Sequence, residues 1–258
     1  ISHTARCEPE GWSKAVRLFE KMEKKKIPRD AGAYAAVFWA LTKAPAKACG
    51  SMAWGMFQKM REEGVRMNSG MTAGLLRCLL GSDDDARWDK MQEVFELMRS
   101  LSLPRTTAHY RSLFAGARFA EGQPDSTAAI SVFEDMRLQK VQPDDETAAQ
   151  FLWSLSGLPP GTVMESSLAY FRLMKASFNL VPRESHLAAL MHAAACGWPG
   201  EETPTVLDLF DEKNRLGLRG SPEFYRDALK VLKPLAQWGM GGSQALWIFG
   251  LMMKEKWG

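Results

Sequence analysis

Phenylalanine recurs along this chain at Phe19, Phe57, Phe95, Phe133, Phe171, Phe210 and Phe249, with spacings of 38, 38, 38, 38, 39 and 39 residues. A period of that length restricts the chain to a stack of similar supersecondary units, each burying one face against its neighbours. Other columns keep step with it. Three residues after each Phe stand Met22, Met60, Met98, Met136, Met174, Lys213 and Met252, and four before stand Ala15, Ala53, Met91, Ala129, Ser167, Val206 and Ala245. One before are Leu18, Met56, Val94, Val132, Tyr170, Leu209 and Ile248. Offsets of −4, −1, 0 and +3 fall on one side of an α-helix, so each Phe is predicted to anchor a helix, here called B.

Eight residues beyond the Phe come Ile27, Val65, Leu103, Val141 and Leu218, with Pro28, Pro104, Pro143, Pro182 and Pro222 close to the turns. Proline cannot continue the preceding helix, so each marks a stop. A second stripe follows, led by Tyr34, Thr72, Tyr110, Ala148, His186 and Tyr225, with Phe38, Leu76, Phe114, Leu152, Leu190 and Leu229 four residues on. This is helix A of the next repeat. The Gly- and Pro-rich stretches 157–161, 197–200 and 239–242 are expected to be A-to-B loops. No alternating run of strand type appears. The expected fold class is all-α, a right-handed α-solenoid of helix-turn-helix repeats, with residues 1–258 forming a single array of about six to seven units. The chain opens inside one B helix and closes inside another near Trp257, so further residues or a partner are expected to complete the end repeats.

Composition narrows the function classes. Lys and Arg number 33 against 30 Asp and Glu, for a formal charge of +3. Binding driven by bulk charge is excluded by that balance. No apolar run approaches the roughly 18 residues that span a bilayer, so no membrane span is expected. Cys7, Cys49, Cys78 and Cys196 are too sparse for a disulfide framework and show no CxxC spacing, as in a reducing compartment.

The runs Ala15-Val-Arg-Leu-Phe-Glu-Lys-Met22 and Ala129-Ile-Ser-Val-Phe-Glu-Asp-Met136, with the following Val141-Gln-Pro-Asp144, resemble the second helix and turn of the pentatricopeptide repeat. Tyr34, Tyr110 and Tyr225 resemble the aromatic residue near the start of that family's first helix. The resemblance extends over nearly the whole chain, with repeats about three residues longer than the family's. It implies an organellar protein, mitochondrial or plastid, that most often binds single-stranded RNA at about one base per repeat. It also implies two reader positions in each repeat. The first falls on Ala35, Ala73, Arg111, Ala149, Leu187 and Arg226; the second falls on Asp30, Asn68, Thr106, Asp144, Pro182 and Ser221.

Ala and Leu neither donate nor accept hydrogen bonds, and Arg suits phosphate or stacking better than a base edge. The six predicted A helices carry 8 basic and 7 acidic residues, without the basic excess of a phosphate-tracking groove. The sequence therefore favours a non-catalytic scaffold docked among the protein subunits of a large organellar assembly, with single-stranded RNA or rRNA binding as the alternative. The candidate groove residues for either partner are Asp30, Trp39, Asn68, Arg77, Thr106, Arg111, Arg118, Asp144, Trp153, Arg226 and Lys230. Trp39 and Trp153 stand five residues after their helix leaders, where an aromatic ring can stack a base or anchor a partner helix.

Other conspicuous residues have structural readings. Lys24-Lys25-Lys26 closes a B helix, where cations suit the helix dipole. Asp83-Asp84-Asp85 is expected to cap the next B helix. By the spacing, His186 falls in the column of Tyr34 and Tyr110, and His192 in the column of Ala40, Cys78, Gly116 and Ser154. With Cys196 they offer fewer ligands than a zinc site needs. No catalytic set, metal or cofactor is expected.

Overall fold

The computed structural model describes residues 11–120, 122–197, 203–237 and 242–257. Within them lie thirteen α-helices and no strand. The B helices are α1 (Gly11–Lys24), α3 (Ala46–Glu62), α5 (Arg87–Ser100), α7 (Ser126–Leu138), α9 (Pro160–Phe178), α11 (Thr203–Arg215) and α13 (Gly242–Trp257). Alternating with them are the A helices α2 (Ala31–Leu41), α4 (Ser69–Leu80), α6 (Thr107–Arg118), α8 (Asp145–Ser154), α10 (Glu184–Cys196) and α12 (Pro222–Gln237). The fold class is thus all-α, an α-solenoid of helix-turn-helix repeats. No helix among the described residues is long and apolar enough to cross a membrane.

Five of the six described B-to-A turns share one local solution. The residue seven positions after the Phe anchor adopts the left-handed conformation: Lys26 at φ 53°, Gly64 at 66°, Ser102 at 51°, Lys140 at 55° and Gly217 at 63°. The next residue then donates its backbone N–H to the carbonyl of the anchor's +3 column: Ile27 to Met22, Val65 to Met60, Leu103 to Met98, Val141 to Met136 and Leu218 to Lys213, all at 2.9–3.1 Å. This is the Schellman closure, in which an apolar residue just past the helix meets one in its last turn. It accounts for the recurrence of apolar residues at +3 and +8. Lys213 occupies the Met column while fully buried, its Nζ donating to the Leu218 carbonyl at 3.4 Å.

The following A helix starts at a capping side chain. Asp30 accepts from Ala33 N at 2.8 Å, Asn68 from Met71 N at 2.9 Å, Asp144 from Thr147 N at 2.8 Å and Ser221 from Phe224 N at 3.2 Å. Two helices use histidine instead. The backbone N–H groups of Thr106 and Arg183 donate to Nδ1 of His109 and His186, both at 3.0 Å. The same rings turn Nε2–H toward the preceding A helix, onto the carbonyls of Ser69 at 3.0 Å and Asp145 at 2.9 Å. Burial depresses the pKa of both imidazoles, so both stay neutral in this role.

The caps reveal a shift in register. They stand at 30, 68, 106, 144, 183 and 221, so the extra residue precedes Arg183. It lies in α9, which runs on to Phe178 and puts its left-handed residue, Asn179, eight positions after Phe171. Two expectations are corrected by it. The second reader position before α10, assigned to Pro182, falls on its N-cap Arg183, and His186 matches His109 in the column before the leader, with Leu187 as the leader. His192 moves accordingly into the column of Trp39, Arg77, Trp153 and Lys230.

The chain forms two compact units, residues 1–116 and 117–258. In the first, Phe19 packs edge-on against Tyr34 at 4.8 Å, Phe95 meets Tyr110 at 6.5 Å, and α2 lies along α4 with Cys78 Sγ donating to the Phe38 carbonyl at 3.2 Å. In the second, Phe133 stacks on Phe151 at 4.3 Å, Phe210 meets Tyr225 at 5.9 Å, and α8, α10 and α12 lie side by side. The −4, 0 and +3 columns are buried almost throughout. The −1 column ranges from buried Val94 to Leu18 at 39% exposure, because it sits at the edge of the stripe.

Two connector expectations also change. Residues 155–157 form a single 3₁₀ turn, and Pro160 already opens α9, a position where proline's missing N–H costs nothing. Asp83–Asp85 does not cap α5: its N-cap is Ala86, without a side-chain bond. Asp84 instead accepts from Ala86 N at 3.0 Å and pairs with Lys90. Cys7, 198–200 and 239–241 lie outside the described residues, as do the side chains of Ala245 and Phe249.

Candidate nucleic-acid interface

The second reader column is occupied by helix caps. One oxygen each of Asp30 and Asp144, and that of Asn68, is committed to the first turn of its A helix, and the Thr106 hydroxyl donates to His109 Nδ1 at 2.8 Å. All four residues remain exposed. In the first unit, Trp39 is 45% exposed and Arg77 is exposed on the neighbouring A helix, while Arg111 is half-buried. The structure records no contact joining the side chains of Trp39 and Arg77.

The second unit does assemble a site. The Arg118 guanidinium at the end of α6 lies over the Trp153 ring of α8, 4.2 Å from its centroid. Trp153 in turn meets the His192 imidazole of α10 at 4.5 Å. His192 Nδ1–H donates to Asp227 of α12 at 2.9 Å, and the same carboxylate accepts from Lys230 Nζ at 2.8 Å and Arg226 Nε at 3.2 Å. Within the second unit one ladder thereby links Arg118 to the A helices α8, α10 and α12. Each step joins side chains 35 to 39 positions apart, one repeat in sequence.

The charge state of the ladder follows from its geometry. Burial disfavours a charged His192, but hydrogen bonds and charges from Asp227 and Cys196 outweigh it and raise its pKa to about 9. Asp227, whose side chain is fully buried, is likewise opposed by desolvation yet held well below the usual carboxylate range by His192, Arg226 and Lys230. Near neutrality the ladder therefore carries Arg118, His192, Arg226 and Lys230 as cations against one buried carboxylate. Arg226 and Lys230 keep 56% and 53% of their side chains exposed. An aromatic plate between cations is what a stacked base beside a phosphate chain requires.

The first turns of the A helices in this unit are acidic. Asp145, Glu146, Glu184 and Glu223 occupy first turns of A helices, where anions suit the dipole. Arg183 Nε lies 3.3 Å from Asp145. A cleft of about 840 Å³ opens beside the ladder, lined by Arg118, Trp153, Asp145, Arg183, Glu184 and Glu223 among others.

Of the sequence-selected residues, the fold joins Arg118 to Trp153 and Arg226 to Lys230, and leaves Asp144 as a cap apart from them. His192 and Asp227, which link the two pairs, were missed. Counting repeats from the caps instead of the phenylalanines would have found His192, since the cap spacing widens from 38 to 39 between Asp144 and Arg183.

No family model matches the chain. A 65-residue stretch is 35% identical to a chloroplastic pentatricopeptide repeat-containing protein of Arabidopsis thaliana, covering 25% of this chain and 7% of that protein. The crystal structure of the maize pentatricopeptide repeat protein PPR10 matches 98% of this chain with a TM-score of 0.58 at 17% identity. PPR10 in complex with an 18-nt RNA element gives a TM-score of 0.45 at 16% identity over the same share. The chain spans 33% of the first PPR10 chain and 42% of the second. With the Phe-x-x-Met period, the capped A helices and the Schellman turns, the match establishes the architecture: the chain is a pentatricopeptide-repeat-like helical-repeat protein.

Proposed function

We propose that the chain binds single-stranded RNA across the A helices of its second unit. The observation carrying this reading is the Arg118–Trp153–His192–Asp227 ladder with its exposed Arg226 and Lys230. The Arg118 guanidinium, laid over Trp153, supplies a planar cation on which a base can stack, and Arg226 and Lys230 supply the phosphate charge. An A-helix census of 8 basic and 7 acidic residues favoured scaffolding because it did not weigh which charges cluster; the ladder gathers Arg118, Arg226 and Lys230 with a single buried carboxylate, Asp227. Organellar residence fits the chloroplastic relative and the reduced cysteines.

Docking as a non-catalytic subunit of a larger assembly is the second reading. It rests on α13, which exposes Leu246, Trp247 and Met253.

Binding of short single-stranded RNA by the purified chain, titrated across salt concentrations, tests the first reading. Trp153→Ala should weaken binding by about 1–3 kcal/mol. Lys230→Ala should lower the magnitude of the salt slope by about 1. No binding even at low salt refutes RNA recognition and leaves docking, which recovery of a defined complex from the organelle would support.

A further inference from the structure

The ladder includes a constellation for which RNA binding has no use. Cys196 closes α10 and is partly exposed. One turn earlier, His192 places Nε2 3.6 Å from Cys196 Sγ, while its Nδ1–H is held by the fully buried Asp227 carboxylate at 2.9 Å. Lys230 and Arg226 fix that carboxylate in turn. Carboxylate to Nδ1 and Nε2 to thiol is the order by which an imidazole is oriented to receive a nucleophile's proton. The other groups facing His192 are Trp153 on α8, itself covered by Arg118, and nothing acidic besides Asp227 pairs with it. The C-terminal turn of α10 favours the imidazolium and opposes the thiolate. An N–H⁺ within hydrogen-bonding range of sulfur offsets that opposition.

Cys49 and Cys78 provide the contrast. Both are buried, and Cys78 Sγ donates to a backbone carbonyl at 3.2 Å. Hydrogen bonding with Cys49 and burial push the Cys78 thiol far up.

The geometry points to Cys196 as a redox-modification site, a thiolate that reacts with peroxides to form a sulfenic acid. The thiol proton leaves to solvent while the His192 imidazolium keeps its Nε2–H toward the sulfur. Sulfur then attacks one peroxide oxygen and the O–O bond breaks. The departing hydroxide takes the His192 Nε2 proton and leaves as water, and the imidazole regains a proton from solvent, so that sulfur is oxidised, the peroxide is reduced and His192 returns to its cationic state. The reaction goes beyond RNA binding and does not depend on it.

The test uses the purified, reduced, folded chain. Hydrogen peroxide with a sulfenate-trapping dione, followed by peptide mass spectrometry, should label Cys196 at least about tenfold faster than Cys49 or Cys78; Cys7 is resolved on its own peptide. Alkylation by iodoacetamide at neutral pH should likewise be faster at Cys196 than at the buried thiols. His192→Gln should slow both reactions at Cys196 alone. If the variant unfolds, Cys49 and Cys78 become reactive as well, and the wild-type peroxide and alkylation data then decide the matter. The assignment is overturned if wild-type Cys196 is trapped or alkylated no faster than the buried thiols, or keeps its wild-type rates in a folded His192→Gln protein.

Discussion

Replacing Phe133 by Ala probes the period that organises the whole molecule. Phe133 is fully buried in α7, stacked on Phe151 of α8 at 4.3 Å and 8°, and approached edge-on by Tyr170 at 5.4 Å and Phe178 at 6.4 Å, both of α9. One side chain thus joins three consecutive helices. Large-to-small deletion of a buried Phe costs about 3–5 kcal/mol. Aromatic pairs add about 0.5–1.5 kcal/mol beyond the buried area. With three such partners, and no flexible neighbour among them to fill the space, the cost belongs at the upper end, about 5 kcal/mol. Phe133→Leu keeps most of the apolar volume and loses the ring geometry, for about 1–2 kcal/mol. Urea unfolding followed by far-UV circular dichroism gives the total. Native-state hydrogen exchange shows whether the loss centres on α7 to α9, as nearest-neighbour stacking requires. A neutral Phe133→Ala, or equal costs for the two substitutions, would refute the assignment of Phe133 as the aromatic hub of that repeat.

Lys140 occupies the left-handed turn position that Gly64 and Gly217 fill elsewhere. Lys140→Gly should stabilise the chain by about 0.5–1 kcal/mol, the left-handed strain of about 1–2 kcal/mol less the entropy lost by glycine; a destabilised variant in thermal melts contradicts the turn geometry. Stability should also decline on both sides of about pH 6.5. His109 and His186 have lowered folded pKa values, so their contribution is complete above the unfolded value of 6.5 and is lost as pH falls below it. His192 is raised to about 9, so its contribution is complete below 6.5 and is lost as pH rises through about 9. Melts at constant ionic strength should show His192→Gln abolishing that share of the alkaline decline and His109→Gln easing the acid one; unchanged profiles in both would refute the charge assignments.

The helices, most of their ends and the repeat of their pairing were legible in the sequence because each is decided within one or two turns. A Phe with a Met three residues on makes a buried stripe, and a left-handed residue followed by an apolar one closes it. Asp30, Asn68 and Asp144 capped their helices at the predicted turns, although the sequence assigned them to ligand recognition. What stayed hidden was lateral. A single additional residue in α9 rotated the register of α10 relative to the phenylalanine count, carrying His192 from a packing column to the face that holds Trp153 and Lys230. Its partners Trp153 and Asp227 lie 39 and 35 positions away, and only the packing of α8, α10 and α12 brings them within reach. The period determined by itself that this chain is a stack of helical hairpins, since hydrogen bonds and apolar stripes inside a helix obey local rules. Where the charges and rings meet across neighbouring helices was decided only by the tertiary structure, because a residue's angular position on each helix depends on every residue inserted before it.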